Sequence, residues 1–288
     1  MESAHDSNDC EIYFLIPPPS IAPEPGLPLQ PPALAWVLRM RKDVVLEVCV
    51  ESIDHAIAAE RGGAHRIELC GDLSSEGITP SMQLIEATRQ QVRLPIHIMI
   101  RPRAGDFVYS DDEFEIMERD IRVARRLGAD GVVLGLLNEH GKVDVIRTRK
   151  LADLAHPLST TFHRAFDLCE DSHVALEAVI QTGAERILTS GGEARVADGI
   201  ETLAKLVRVA GDRMVVMPGG GVDADNVQSI LQRTAAREIH TSLGMSGPAN
   251  SGRVKSVHED LAKTSFEFEQ KVRRLKHMLE TVDSCSPS

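Results

Sequence analysis

Gly63-Ala64-His65-Arg66-Ile67 returns as Gly128-Ala129-Asp130-Gly131-Val132 and again as Gly183-Ala184-Glu185-Arg186-Ile187. Each time, a glycine closes a stretch of helical apolar spacing, a small residue follows, and a strand-like run begins. Glycine near a helix C-terminus can take the left-handed conformation that turns the chain, and the small neighbour lets it drop back into a sheet. Thr234-Ala235-Ala236-Arg237-Glu238 echoes the pattern. On either side of these junctions, short strand-like runs predict strands at 44–50, 66–70, 95–101, 131–137, 158–164, 186–190, 213–217 and 238–243. The first seven are each followed by a segment long enough for a helix, most clearly at 52–64 and 112–127. Repeated βα units demand a parallel sheet with right-handed crossovers, and eight of them can close. The expected fold is therefore α/β, a single TIM-type (β/α)8 barrel over 43–245, at the small end of that class.

The flanks read differently. Eight of the 15 prolines lie between Pro17 and Pro32, a density that favours extended, solvated chain, so 1–42 is expected to be a disordered Pro-rich extension. Residues 246–255 are rich in Gly, Ser and Asn, and 257–282 shows apolar positions at helical spacing. Together, 246–288 is expected to form a linker and an amphipathic C-terminal helix, packing under the barrel or against another subunit.

The chain of 288 residues carries a formal charge of −11, which argues against a nucleic-acid partner, since phosphate neutralisation needs a basic face. No apolar run approaches the roughly 20 residues that span a bilayer, so no membrane partner is expected. The five cysteines are odd in number and widely spaced, unlike a disulfide framework or a zinc finger. Free thiols and the acidic N-terminus point to the reducing cytosol.

In such a barrel, C-terminal strand ends and the loops behind them share one mouth. Alternation places Glu47 and Cys49 on one face of the first strand, and Glu68 and Cys70 on one face of the second. If that face is the interior, two carboxylates and two thiols meet; otherwise the cysteines serve as small buried hydrophobes. The third strand ends in Ile100-Arg101-Pro102-Arg103-Ala104-Gly105-Asp106-Phe107. Arginine forks suit planar carboxylate or phosphate groups. Arg101 and Arg103, with Asp106 nearby, thus form either an anion site or an ion-pair network with Glu47 or Glu68. Thr161-Phe162-His163-Arg164-Ala165-Phe166-Asp167 closes the fifth strand. There His163, Arg164 and Asp167 offer a general base, an anion holder and an orienting carboxylate. Later loops supply Gly191, Gly219 and Gly220, whose backbone N–H groups can bind an anion such as phosphate or serve only tight turns.

These segments, with Leu46-Glu47-Val48-Cys49, Arg66-Ile67-Glu68-Leu69-Cys70, Gly77-Ile78-Thr79-Pro80-Ser81 and Leu188-Thr189-Ser190-Gly191, together resemble the CutC copper homeostasis family across about 44–242. The 214–221 run and the Glu-x-Cys strands are more similar to animal members than to bacterial ones. The resemblance implies a TIM-barrel protein of the cytoplasm, and also the nucleus, that handles copper. It further implies a homo-oligomer, dimer or tetramer, and Cu(I) held by Cys49 and Cys70. Soft thiolates favour Cu(I), which makes that chemistry credible. Met99 or Met217 either adds a thioether or fills the core. Ala104 departs from the family pattern, standing where a second glycine is usual.

Two functions follow as alternatives: a copper homeostasis protein that binds Cu(I), or a TIM-barrel enzyme acting on a small anionic metabolite bearing phosphate or carboxylate. The enzyme reading draws on Glu47, Glu68, Arg101, Arg103, Asp106, His163, Arg164 and Asp167, more groups than copper storage needs. A third is an oligomeric scaffold that recruits a partner through the extension or the final helix.

Overall fold

The computed structural model describes residues 44–244 and 257–281, with side chains in the second stretch from Thr264 onward. The expected extension at 1–42 and the linker at 246–255 lie outside the described residues. Eight strands alternate with helices: β1 (Val45–Val50), α1 (Ile53–Gly62), β2 (Arg66–Leu69), α2 (Met82–Gln91), β3 (Ile96–Met99), α3 (Asp111–Arg126), β4 (Gly131–Leu134) and α4 (Val145–Ala155). They continue with β5 (Ser159–Phe162), α5 (Ser172–Gln181), β6 (Arg186–Thr189), α6 (Ile200–Ala210), β7 (Val215–Pro218), α7 (Val227–Thr234), β8 (Glu238–Thr241) and α8 (Val257–Thr281).

Local signals set these boundaries. At the start of α3, Ser110 and Glu113 form a reciprocal capping box, and Phe114, Met117, Ile121 and Ala124 make its buried face. The repeated glycines do what their position predicts: Gly63, Gly128 and Gly183 have φ of 92°, 84° and 84°. Ala235 takes the same left-handed turn at 57° without glycine's freedom.

All strand pairs are parallel, in the order β7-β6-β5-β4-β3-β2-β1-β8. The barrel is near-closed rather than a full ring of ladders: among the described residues, β7 and β8 share none. Pro218 at the end of β7 has no N–H to donate, and Gly220 and Gly221 behind it turn away at φ 96° and 90°. Across this seam the Thr241 hydroxyl donates to the Val222 carbonyl at 2.6 Å.

The outward faces of the strands, including Leu46, Val48, Ile67, Leu69, Ile96 and Ile98, are wholly or almost wholly buried beneath the helices. The inward faces are polar, unlike the branched apolar layers common in this fold. Arg66 on β2 pairs with Glu47 on β1 and with Glu238 on β8, both at 2.5 Å. Arg186 on β6 reaches the same Glu238 at 3.2 Å and Ser159 at 2.6 Å. Arg66 also donates to the Met217 sulfur on β7 at 3.4 Å, which places that methionine in the barrel core.

Helix α8 stacks against α1. A Cβ on Gly62 would lie 2.6 Å from Val272 Cβ, so the two backbones meet closely because residue 62 has no side chain. Gln228 on α7 reaches Thr281 at 3.1 Å, and Asp225 before it reaches Arg274 at 3.0 Å. The C-terminal helix thus packs within its own chain, between α7 and α1, as the eighth helix of the barrel.

Candidate functional site

β1 and β2 pair in a register that sets Cys49 opposite Glu68. With that face turned inward, Cys49 Sγ lies 3.5 Å from Cys70 Sγ and donates to Glu68 Oε1 at 3.4 Å. Both thiols are free and buried, far beyond the roughly 2.05 Å of a disulfide. Cys70 also donates to the Val50 carbonyl at 3.6 Å. His240 on β8 completes the group: Cys49, Glu68 and His240 offer ligand atoms all within 4.8 Å of one another.

The charges here are mutually tuned. The hydrogen bond to Cys70, then burial and the nearby Glu68 carboxylate, push the Cys49 thiol well above the usual thiol range. Burial raises Glu68, helped by Glu47 and opposed by His240. Burial opposes the charged form of His240, but Glu68 and Glu47 outweigh it and raise its pKa. Glu47 sits beneath, wholly buried, with Arg66 as one partner and His240 Nδ1 at 2.7 Å as another. Its burial cost is outweighed by Arg66, His240 and His97, which hold it ionised and well below the ordinary carboxylate range. Glu47 therefore orients His240 and does not line the cavity above.

That cavity, about 580 Å³, opens at the C-terminal strand ends and is lined by Cys49, Glu68, Arg101, His163, Arg164 and His240 among others. Arg101 is 2% exposed, and its terminal nitrogens are fixed to the carbonyls of Ser75, Gly77 and Gly105 at 2.9, 3.0 and 2.8 Å. Among the described residues no carboxylate lies within 4.0 Å of it. It pairs with neither Glu47 nor Glu68. His163 accepts from the Ala165 N–H through Nδ1 at 3.2 Å, so its proton resides on Nε2. Burial, reinforced by Arg101, lowers its pKa to about 3 and keeps the ring neutral. Gly135 makes room for it: a Cβ there would lie 2.5 Å from His163 Nδ1. Phe107 bridges the two, its ring 4.8 Å from the Arg101 guanidinium and 4.8 Å from the His163 ring. Among the described residues, three buried polar atoms on this lining lack a hydrogen-bond partner: Glu68 Oε2, Arg101 Nε and His163 Nε2. In native proteins such groups are nearly always paired, and exceptions call for a ligand, water or ion.

Other expected residues have different roles. Arg103 binds Glu113 at 2.5 Å and Asp106 at 2.9 Å; these two residues pin the loop after β3 and are not among the cavity lining. Asp167 lies on the lining but spends its oxygens on the β6 loop. It accepts from Ser190 N and Gly192 N at 3.1 Å each, from the Thr189 and Ser190 hydroxyls, and from Arg164 Nε at 2.8 Å. Gly191 N donates to Thr189 Oγ1 and Gly219 N to the Thr189 carbonyl, both at 2.9 Å. The N–H groups expected to receive an anion at Gly191 and Gly219 are thus already used, because a carboxylate of this chain and Thr189 claim the loop. Gly220 stays on the cavity wall, where a Cβ would meet Ser190 and Arg164 at 3.2 and 3.3 Å. Met99 packs with both cysteines and lines the cavity. His240 escaped the sequence reading, yet the alternation that grouped Glu47 with Cys49 also sets Glu238, His240 and Ser242 on one face of the eighth strand.

Residues 44–245 match the CutC family model. The chain belongs to the CutC family. A human relative named copper homeostasis protein cutC homolog is 48% identical over 198 residues, covering 69% of this chain and 72% of that one. A Xanthomonas campestris CutC family protein is 43% identical over 240 residues, covering 82% of this chain and 99% of its own. Among solved structures, CutC from Streptococcus agalactiae superposes with a TM-score of 0.66 at 33% identity, covering 69% of this chain and 98% of that one. Among the described residues, no helix is long and apolar enough to cross a membrane.

Proposed function

We propose that this CutC family member binds Cu(I) at the barrel mouth and serves intracellular copper handling. The observation that carries the reading is the pair of reduced sulfurs 3.5 Å apart, Cys49 on β1 and Cys70 just past the end of β2. Two thiolates form a soft donor set that selects Cu(I) over harder cations. At a metal–sulfur distance near the ~2.3 Å of zinc thiolates, sulfurs 3.5 Å apart subtend an angle of about 100°. That bend leaves room for a third donor, and His240 and Glu68 stand within reach of Cys49. Because Glu68 Oε1 accepts from Cys49 Sγ, it is the adjacent acceptor for the proton lost when a thiol becomes a ligand. The copper homeostasis names of its relatives agree with this chemistry.

The same reading assigns the protein to the reducing cytoplasm, with the nucleus as a second compartment, and to a homo-oligomer, dimer or tetramer. Anaerobic titration of the reduced chain with Cu(I) against a competing chromogenic chelator tests it. The expected result is about one equivalent bound per chain and loss of that binding in the Cys49→Ser/Cys70→Ser double variant. Unchanged affinity in the double variant overturns the assignment.

A further inference from the structure

We infer that Arg101 and His163 form a carboxylate subsite at the barrel mouth, and that the cavity takes small hydroxycarboxylates. The inference is independent of copper and stands on unpartnered atoms. Among the described residues, Arg101 is a buried cation with no carboxylate beside it, surrounded by backbone carbonyls, the face of Phe107 and the neutral Tyr109 hydroxyl. A charge removed from water without a counter-ion is costly, and buried charges in proteins are ordinarily paired. Its Nε–H is unused, as is the Nε2–H of His163, and both residues line the same cavity. Two single donors held on one aromatic ring suit the two oxygens of a planar carboxylate.

Phosphate is the weaker match. Barrels commonly bind it with a cluster of loop N–H groups, and here Ser190, Gly191, Gly192 and Gly219 have committed theirs. The third atom without a hydrogen bond, Glu68 Oε2, lies 3.7 Å from His240 Nδ1 and shares the cavity. An oxygen acceptor there disfavours a further anionic group and favours a hydroxyl, which can donate to it. At about 580 Å³ the space is of the size that small-molecule sites occupy.

The test uses the reduced, metal-free full chain with acetate, glycolate, gluconate and inorganic phosphate at constant ionic strength, read by thermal shift and calorimetry. A ligand that binds only the folded state raises the melting temperature. The expected order is gluconate or glycolate above acetate, with phosphate giving no shift. His163→Asn keeps an acceptor for the Ala165 N–H while deleting the Nε2 donor, and Arg101→Lys keeps charge while deleting Nε. Each should weaken binding about tenfold or more, the value of one charge-assisted hydrogen bond. In the wild-type chain, the ring resonances of His163 in a ¹⁵N-histidine spectrum should move as glycolate is added, a readout that needs no variant to fold. Phosphate binding as well as glycolate, acetate matching glycolate, full affinity in both variants, or an unmoved His163 signal would each overturn the proposal.

Discussion

Cys49 is held as a thiol by its Cys70 hydrogen bond, its burial and the neighbouring Glu68 carboxylate, so metal loading must expel a proton at neutral pH. Calorimetric Cu(I) titrations in buffers of differing ionisation enthalpy should report release of at least one proton per ion. Glu68 can retain one of the two thiol protons, so heats that do not depend on the buffer would contradict a pair of thiol ligands. Gly135 is a second single-residue lever. Gly135→Ala should displace the His163 ring, with which its new Cβ would collide, and move the His163 resonances while leaving Cu(I) stoichiometry intact. At this scale the sequence was partly legible. That Cys49, Cys70, Glu68, Arg101 and His163 gather at one end of the barrel is legible because strand alternation and strand ends can be counted along the chain. The placement of Arg103 and Asp106 off the cavity lining is not legible, because whether a loop arginine faces the mouth or Glu113 depends on how the loop folds, which no local spacing records. His240 lay beyond the motifs, at a position that matters only once β8 pairs with β1.

The eight βα units were visible as elements because each closes on a turn signal with a physical cause, and all eight expected strands overlap the observed ones. Invisible in advance was the service of α8 as the eighth helix, since a linker separates it from β8 and only tertiary packing returns it to α1. That contact makes a signed prediction. In a free helix, glycine to alanine stabilises by up to about 1 kcal/mol. Gly62→Ala should instead destabilise by about 1–3 kcal/mol, because its Cβ would lie 2.6 Å from Val272 Cβ and 3.0 Å from the Glu269 carbonyl. Urea denaturation measures this, and Val272→Ala in the same chain should recover part of the loss. A stabilised Gly62→Ala variant would show that α8 does not sit on α1.

Across the whole molecule, an interior built of ion pairs and buried imidazoles makes stability depend on pH. Burial lowers His97 and His163 to about 3, while in the unfolded chain they titrate near the ordinary ~6.5. The unfolded state therefore binds more protons between those values, and stability falls as pH drops through that window, by about 1.4 kcal/mol per unit for each histidine while the unfolded form is charged. His240 has the opposite sign: its raised pKa adds stability below ~6.5 that is lost as pH rises through its folded value. Glu47, held low, adds stability above the ordinary carboxylate range and loses it only in stronger acid. His97 and His163 together predict urea midpoints lower at pH 5 than at pH 7 and a shallower slope for His163→Asn, a difference that the raised His240 and Glu68 act to shrink. Equal midpoints at the two pH values would contradict the buried neutral rings. Arg66→Met alone should cost up to about 3–5 kcal/mol, since it removes the guanidinium that Glu47 and Glu238 share and leaves them only His240 and Arg186. In the proposed function, this polar barrel presents two thiols to one soft ion. Copper K-edge absorption of the Cu(I)-loaded protein tests it most directly: two sulfur neighbours in the wild type and one in Cys70→Ser are predicted, whereas a shell of nitrogen and oxygen alone would contradict it.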